Sequence, residues 1–264
     1  MKERAIGIFD SGIGGLELVN QLNKLLPEEK IIFYSRDIAV DDQQNEKEII
    51  TEYARTCVDF LLEKNVKMII SASGDVNTLY GLKFPETDVS YFGTFVPAAQ
   101  AASGKTRNNR IGVTGITSVV KKGGFAKIVK NIRQGISVIG AACQRVHEIT
   151  EDGIHIPEEE MTESIRNDIA VIIENKPDTV IIADGISHLY RSKFEEMLGS
   201  DTTIVTPFEE TAKRIYNDLL ESDMLSDREE KPSNDIYVSG NMSIFNRLSS
   251  MFVSRENNFI SVSE

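Results

Sequence analysis

The stretch Val66–Asn77, VKMIISASGDVN, constrains the fold of this chain most. Met68–Ser71 is a short apolar run entered from a lysine and left through small and polar residues. Such a run reads as a parallel strand buried on both faces. Its carboxyl end opens into a loop at Ser73-Gly74-Asp75, and in open α/β sheets ligands bind at that end of the strands.

The same grammar recurs along the chain. AIGIF (5–9) is a strand running into Asp10-Ser11-Gly12-Ile13-Gly14-Gly15, and Leu16, Val19, Leu22 and Leu25 then fall at helical spacing before Pro27. GIGG is not G-x-G-x-x-G, and Asp10 would repel a phosphate, so a dinucleotide site is not the reading. IIFYS (31–35) is a second strand, and 46–63 predicts a helix whose apolar stripe includes Cys57, a buried core residue. Further strands are predicted at 89–93, 111–118, 136–143, 202–206 and 235–240. Helices are predicted from Pro97, over 77–82, 158–174, 191–198 and 208–220, and over 242–252 to close the fold.

IGVTGITS (111–118) repeats the theme of IGIFDSG, and DTVIIADGISH (178–188) repeats that of VKMIISASGD. The interval between copies is alike in both halves. That weak internal repeat predicts an α/β fold of two similar domains with parallel sheets, related by a pseudo-twofold, with a ligand cleft between them.

Composition narrows the function classes. A net charge of −12 over 264 residues argues against a general nucleic-acid or anionic-membrane surface, so neither is expected as a partner. The N-terminal apolar run is too short for a signal peptide, and no run reaches membrane-spanning length. Two cysteines, Cys57 and Cys143, make no disulfide framework, so the expected localisation is cytoplasmic.

FDSGIGGL (9–16), VPAAQAA (96–102), IGVTGITS, AACQRVHEITEDG (141–153), DTVIIADGISHLY (178–190) and IYVSGNMSIFNRLSSMF (236–252) together resemble glutamate racemases, members of the aspartate/glutamate racemase superfamily. The likeness runs in order over essentially the whole chain. It implies two domains, 1–95 plus 206–264 and 96–205, and a dimer of the kind common among relatives.

The resemblance also implies cofactor-independent racemisation by two cysteines flanking the substrate carbon, since a thiolate can be tuned to exchange protons near neutral pH. Aligned on the family motifs, the first cysteine position is Ser73 and the second is Asp184. Asp10 and Glu151 match assisting acids, Ser11 a contact to the substrate amino group, and His188 the family histidine displaced by an insertion. Carboxylate-gripping positions fall at Gly74, Asp75 and Gly185, and a Pro-Tyr-Gly loop falls at Asp42, Gln43 and Gln44.

By this alignment the site is lined with Asp10, Asp75, Asp184 and Glu151, and with Asp41 and Asp42. Unpaired carboxylates so crowded would raise one another's pKa and repel an acidic substrate. A neutral or cationic small molecule is the expected ligand, with no cofactor, and the sequence lacks metal-ligand spacing.

Each candidate also has a plain structural reading. Ser73 can be a hydroxyl bonded within its own loop, since a nucleophile needs an adjacent base. Asp184 can be a helix cap, and His147 and His155 read as surface or cap residues. Three functions stay open: a pseudoenzyme or binding protein, an enzyme of one-sided carbon-acid chemistry (isomerase, lyase or decarboxylase) with Asp184 as base, and a modulator of a protein partner such as gyrase.

Overall fold

The computed structural model describes residues 1–38, 45–80, 87–152, 156–240, 242–252 and 257–262. The chain folds into two compact units, Met1–Thr94 with Thr211–Glu264, and Phe95–Glu210.

The first unit opens with β1 (Ile6–Asp10), α1 (Leu16–Leu25), β2 (Ile31–Arg36), α2 (Glu46–Glu63), β3 (Met68–Ser71), α3 (Gly74–Tyr80) and β4 (Ser90–Gly93). The second comprises α4 (Phe95–Lys105), β5 (Arg110–Gly115), α5 (Thr117–Lys122), α6 (Gly124–Ile132), β6 (Ser137–Ala142), α7 (Gln144–Asp152), α8 (Glu158–Asp168), α9 (Ala170–Asn175), β7 (Thr179–Ile182), α10 (Gly185–His188), α11 (Arg191–Leu198) and β8 (Thr203–Val205). Helix α12 (Pro207–Glu221) leads back to the first unit, which β9 (Asn234–Ser239), α13 (Met242–Ser249) and β10 (Asn257–Ser261) complete.

The first sheet has the order β10-β9-β2-β1-β3-β4 and the second β6-β5-β7-β8. Every strand pairing is parallel. The chain is therefore α/β, as its alternation of apolar runs and helical stripes requires. Within each unit the order β2-β1-β3-β4 is matched by β6-β5-β7-β8, which gives the repeat of IGIF and IGVT a structural counterpart: both are central strands. Strands β1, β3 and β7 are buried along their whole length.

Several predicted elements differ in extent. Helix α3 starts at Gly74, since the Asn77 N–H closes a helical turn on the Ser73 carbonyl. Gly74 and Asp75 thus belong to a first turn, not to a loop. The acidic helix over 158–174 is two helices interrupted at Ile169, whose carbonyl takes the Ile172 N–H in a tight turn. Helices α5, α6, α7 and α10 and the edge strand β10 lie where the sequence suggested none. The segment holding Asp41, Asp42, Gln43 and Gln44 lies outside the described residues, as does His155.

A buried ion pair sits beneath the first sheet, at the entry to β3. Lys67 Nζ lies 2.7 Å from both carboxylate oxygens of Glu29, with both side chains essentially inaccessible. The ammonium also donates to the carbonyls of Lys2 and Met224, and Glu29 accepts the Ser226 N–H. Four stretches distant in sequence, around Lys2, Glu29, Lys67 and Met224–Ser226, are tied at one point.

Candidate functional site

In each unit the polar candidates gather where the central strands end. In the first unit Asp10 closes β1 and its carboxylate takes the N–H groups of Ser11 at 2.8 Å and Gly15 at 2.6 Å. A Cβ on Gly15 would stand 2.8 Å from Asp10 Oδ2 and 2.9 Å from the Ala72 Cβ, so the turn closes only around glycine.

Ser73 is fully buried, and the side chain in reach of its hydroxyl is Ser11, at 3.3 Å between the two oxygens. Among the described residues no base is hydrogen-bonded to it, as activation of a serine nucleophile requires. Asn77, which sequence reasoning missed, holds this strand end in shape. Its amide donates to the carbonyls of Ser71 and Ser73 and to the Thr94 hydroxyl, and its carbonyl takes the Thr94 N–H.

In the second unit Asp184 follows β7 and caps α10. Its carboxylate is saturated by four donors: the Ser187 N–H at 2.8 Å, the Ser187 hydroxyl at 2.9 Å, the Ile116 N–H at 3.0 Å and His147 Nε2 at 2.8 Å. Burial favours the neutral acid, but the His147 charge and hydrogen bond, with the Ser187 donors, outweigh it and hold the Asp184 pKa below the usual carboxylate value. Burial likewise pushes His147 down, yet Asp184, then Glu151, raise its pKa above the ordinary histidine value. The expectation of unpaired, mutually raised carboxylates is corrected for Asp184: it is paired and its shift runs the other way.

His147 is also not a surface or cap residue. It is buried at 4 % exposure on α7, on the stripe Cys143, Val146, His147, Thr150, whose three-and-four spacing was the available signal. Glu151, the sequence candidate, is exposed one turn further on; His147 is the side chain that reaches Asp184.

Ser187 Oγ lies 3.4 Å from the same His147 nitrogen that faces Asp184, while Nδ1 is buried with no partner among the described residues. In a working Ser-His-Asp relay the two groups engage opposite ring nitrogens, so these three residues do not form one. His188 points elsewhere, with Nε2 3.9 Å from a Glu209 carboxylate oxygen that also pairs with Arg191. Gly185 starts α10 and is buried.

A Cβ on Gly115, at the end of β5, would stand 2.5 Å from Asp184 Oδ2. Gly115→Ala is therefore expected to displace the carboxylate and cost about 1–3 kcal/mol, read as a lowered urea midpoint. Cys57 and Cys143 are buried, and burial pushes both thiols up to about 12. Cys143 lies against the Thr114 hydroxyl. Among the described residues no three His, Cys, Asp or Glu side chains group as a metal ion requires.

No family model matches the chain. It is 30% identical over 249 residues to a glutamate racemase of Oceanobacillus iheyensis, covering 92% of this chain and 89% of that one. A glutamate racemase of Geobacter metallireducens is 27% identical over 256 residues, covering 96% and 94%. Among solved structures, a glutamate racemase isoform from Bacillus anthracis superposes with a TM-score of 0.85 at 22% identity, covering 99% of this chain and 98% of that one. The Francisella tularensis glutamate racemase in complex with D-glutamate gives 0.83 at 22% identity, covering 100% and 98%. With this sheet order and that full-length likeness, the chain belongs to the glutamate racemase family.

Proposed function

We propose that this family member binds a small molecule and does not racemise glutamate by the two-cysteine route. The observation that carries this reading is the saturation of Asp184, at the position where the resemblance expects a catalytic thiol. A carboxylate taking four hydrogen bonds, with its pKa depressed, is a weak base for a carbon acid. That also weighs against one-sided proton transfer by Asp184.

Ser73, at the other expected thiol position, has a hydroxyl for a neighbour. The two remaining thiols stay protonated at neutral pH and take no part. With the Asp184 charge offset by His147, it is Asp10 at the end of β1 and Asp75 in the first turn after β3 that favour a neutral or cationic ligand over an anionic amino acid.

The test is proton exchange. Purified protein incubated with D- or L-glutamate in D₂O is expected to show no loss of the α-proton signal above a protein-free blank. Exchange that persists in the Ser73→Ala, Asp184→Ala double variant and disappears on cysteine alkylation would show that thiol chemistry survives elsewhere. For the ligand, amines and neutral amino acids are expected to raise the melting temperature more than glutamate does; the reverse order overturns that part.

A further inference from the structure

The net charge of −12 argues against a general surface for polyanions, yet it conceals a segregation. Between Asp88 and Glu148 the chain has nine Lys or Arg and no Asp or Glu, and all nine lie in the second unit.

The fold gathers part of this stretch at the foot of that unit's sheet, where β5 begins. Arg107 precedes β5 and Arg110 opens it. Helix α6 runs back to the same edge with Lys127 and Lys130 exposed on it, and Arg133 follows at the same interval. Arg133 Nη2 donates to the Thr106 carbonyl and to Asn109 Oδ1, and Arg110 Nη1 donates to the Asn175 carbonyl. Both guanidinium groups are thus held in place by neutral oxygens, and their other N–H groups have no acceptor among the described residues. Among those residues no carboxylate pairs with Arg107, Arg110, Lys127, Lys130 or Arg133, while Lys105 is tied to Glu210. Asp178, the acid inside the loop, is engaged by the Thr106 hydroxyl and the N–H groups of Arg107 and Asn108. Glu174 is exposed at the end of α9 and makes no ion pair with these cations.

We propose that this basic foot binds the phosphate backbone of double-stranded DNA without reading its sequence. A guanidinium pinned by carbonyls keeps its charge and its remaining N–H groups for an oxyanion, and phosphate accepts them in pairs. Backbone contacts of this kind come from Arg, Lys and Asn, and they need no aromatic or apolar side chain. The foot offers that set, with Asn108, Asn109 and Asn131 exposed among its cations. Other partners attracted by positive charge fit less well. A single strand needs stacking faces, and the rings between Phe95 and Arg145, Phe95 and Phe125, are buried. An acidic protein needs an apolar interface core and an anionic membrane needs inserting side chains, but Ile132 is the lone exposed large apolar side chain over the same stretch. The foot lies at the opposite end of the sheet from Asp184, so DNA binding there neither needs nor excludes a small molecule near that carboxylate.

Fluorescence anisotropy of the full chain with a fluorescein-labelled duplex of mixed sequence tests it. Binding is expected at about 0.05 M salt and should weaken roughly a hundredfold by about 0.2 M, the slope that about four neutralised phosphates give. Lys127→Glu with Lys130→Glu should weaken it roughly tenfold or more at the lower salt and make the slope shallower by about two. Should that variant fail to fold, Arg107→Gln removes a side chain with no partner among the described residues and should weaken binding roughly threefold or more. Lys47→Glu with Arg55→Glu, exposed on α2 of the first unit, makes the same change in net charge as the double lysine variant. It should leave the affinity within about twofold. A duplex left unbound at low salt, binding indifferent to salt or to the foot variants, equal weakening by the α2 variant, or tighter binding of a single strand, of polyglutamate or of anionic vesicles than of the duplex would each overturn the proposal.

Discussion

Lys67→Met is expected to destabilise the protein by about 3–5 kcal/mol, because it strands a buried carboxylate. Glu29 is 1 % exposed and would keep the Ser226 N–H but lose its cation. The carbonyls of Lys2 and Met224 would lose their common donor as well. The double variant Lys67→Met, Glu29→Leu should recover most of that loss, since replacing both members of a buried pair with apolar groups is often near neutral. Urea unfolding of the two variants and the wild type reads this directly. A single variant within about 1 kcal/mol of the wild type would mean that water reaches Glu29 and that the knot contributes little.

The second large effect concerns Asp184. Removing its carboxylate in Asp184→Ala leaves the Ile116 and Ser187 N–H groups, the Ser187 hydroxyl and the His147 imidazolium without their acceptor. A loss of about 3–5 kcal/mol is expected, with Asp184→Asn milder because it keeps an acceptor oxygen.

The pair also predicts a pH signature. The folded Asp184 pKa lies below its ordinary value of 3.8, so its contribution is present above that value and fades as pH falls through the folded one. The folded His147 pKa lies above 6.5, so its contribution is complete below 6.5 and fades as pH rises through the folded value. These are one attraction seen from two partners, greatest between the two ordinary values. His147→Gln should therefore flatten the alkaline fall in urea midpoint between about pH 6 and about pH 9. A wild-type and variant difference that stays constant over that range would show that folding does not raise the His147 pKa above its unfolded value.

Much of the architecture was legible because it is written locally. Met68–Ser71, 5–9, 111–115 and 178–182 are apolar runs bounded by small and polar residues, and each became a buried central strand. Asp10, Ser73 and Asp184 were found because strand ends are identifiable from such runs. The repeat of IGIF and IGVT foretold two similar α/β halves, and the two copies are central strands of sheets that share a strand order.

What those side chains touch was decided by tertiary structure alone. His147 read as a surface histidine because a polar residue in a stretch as acidic as α7 resembles a solvated face. Packing of α7 against α10 turns it inward to Asp184. Asn77 and Thr94, and Lys67 and Glu29, are likewise brought together by strand order, which no short window records. The sequence by itself determined a two-sheet α/β protein of the racemase family with Asp184 at a strand end. Only the folded chain decided that this carboxylate is held by four donors instead of standing free, since hydrogen bonds between distant residues exist only once the sheet has brought them together.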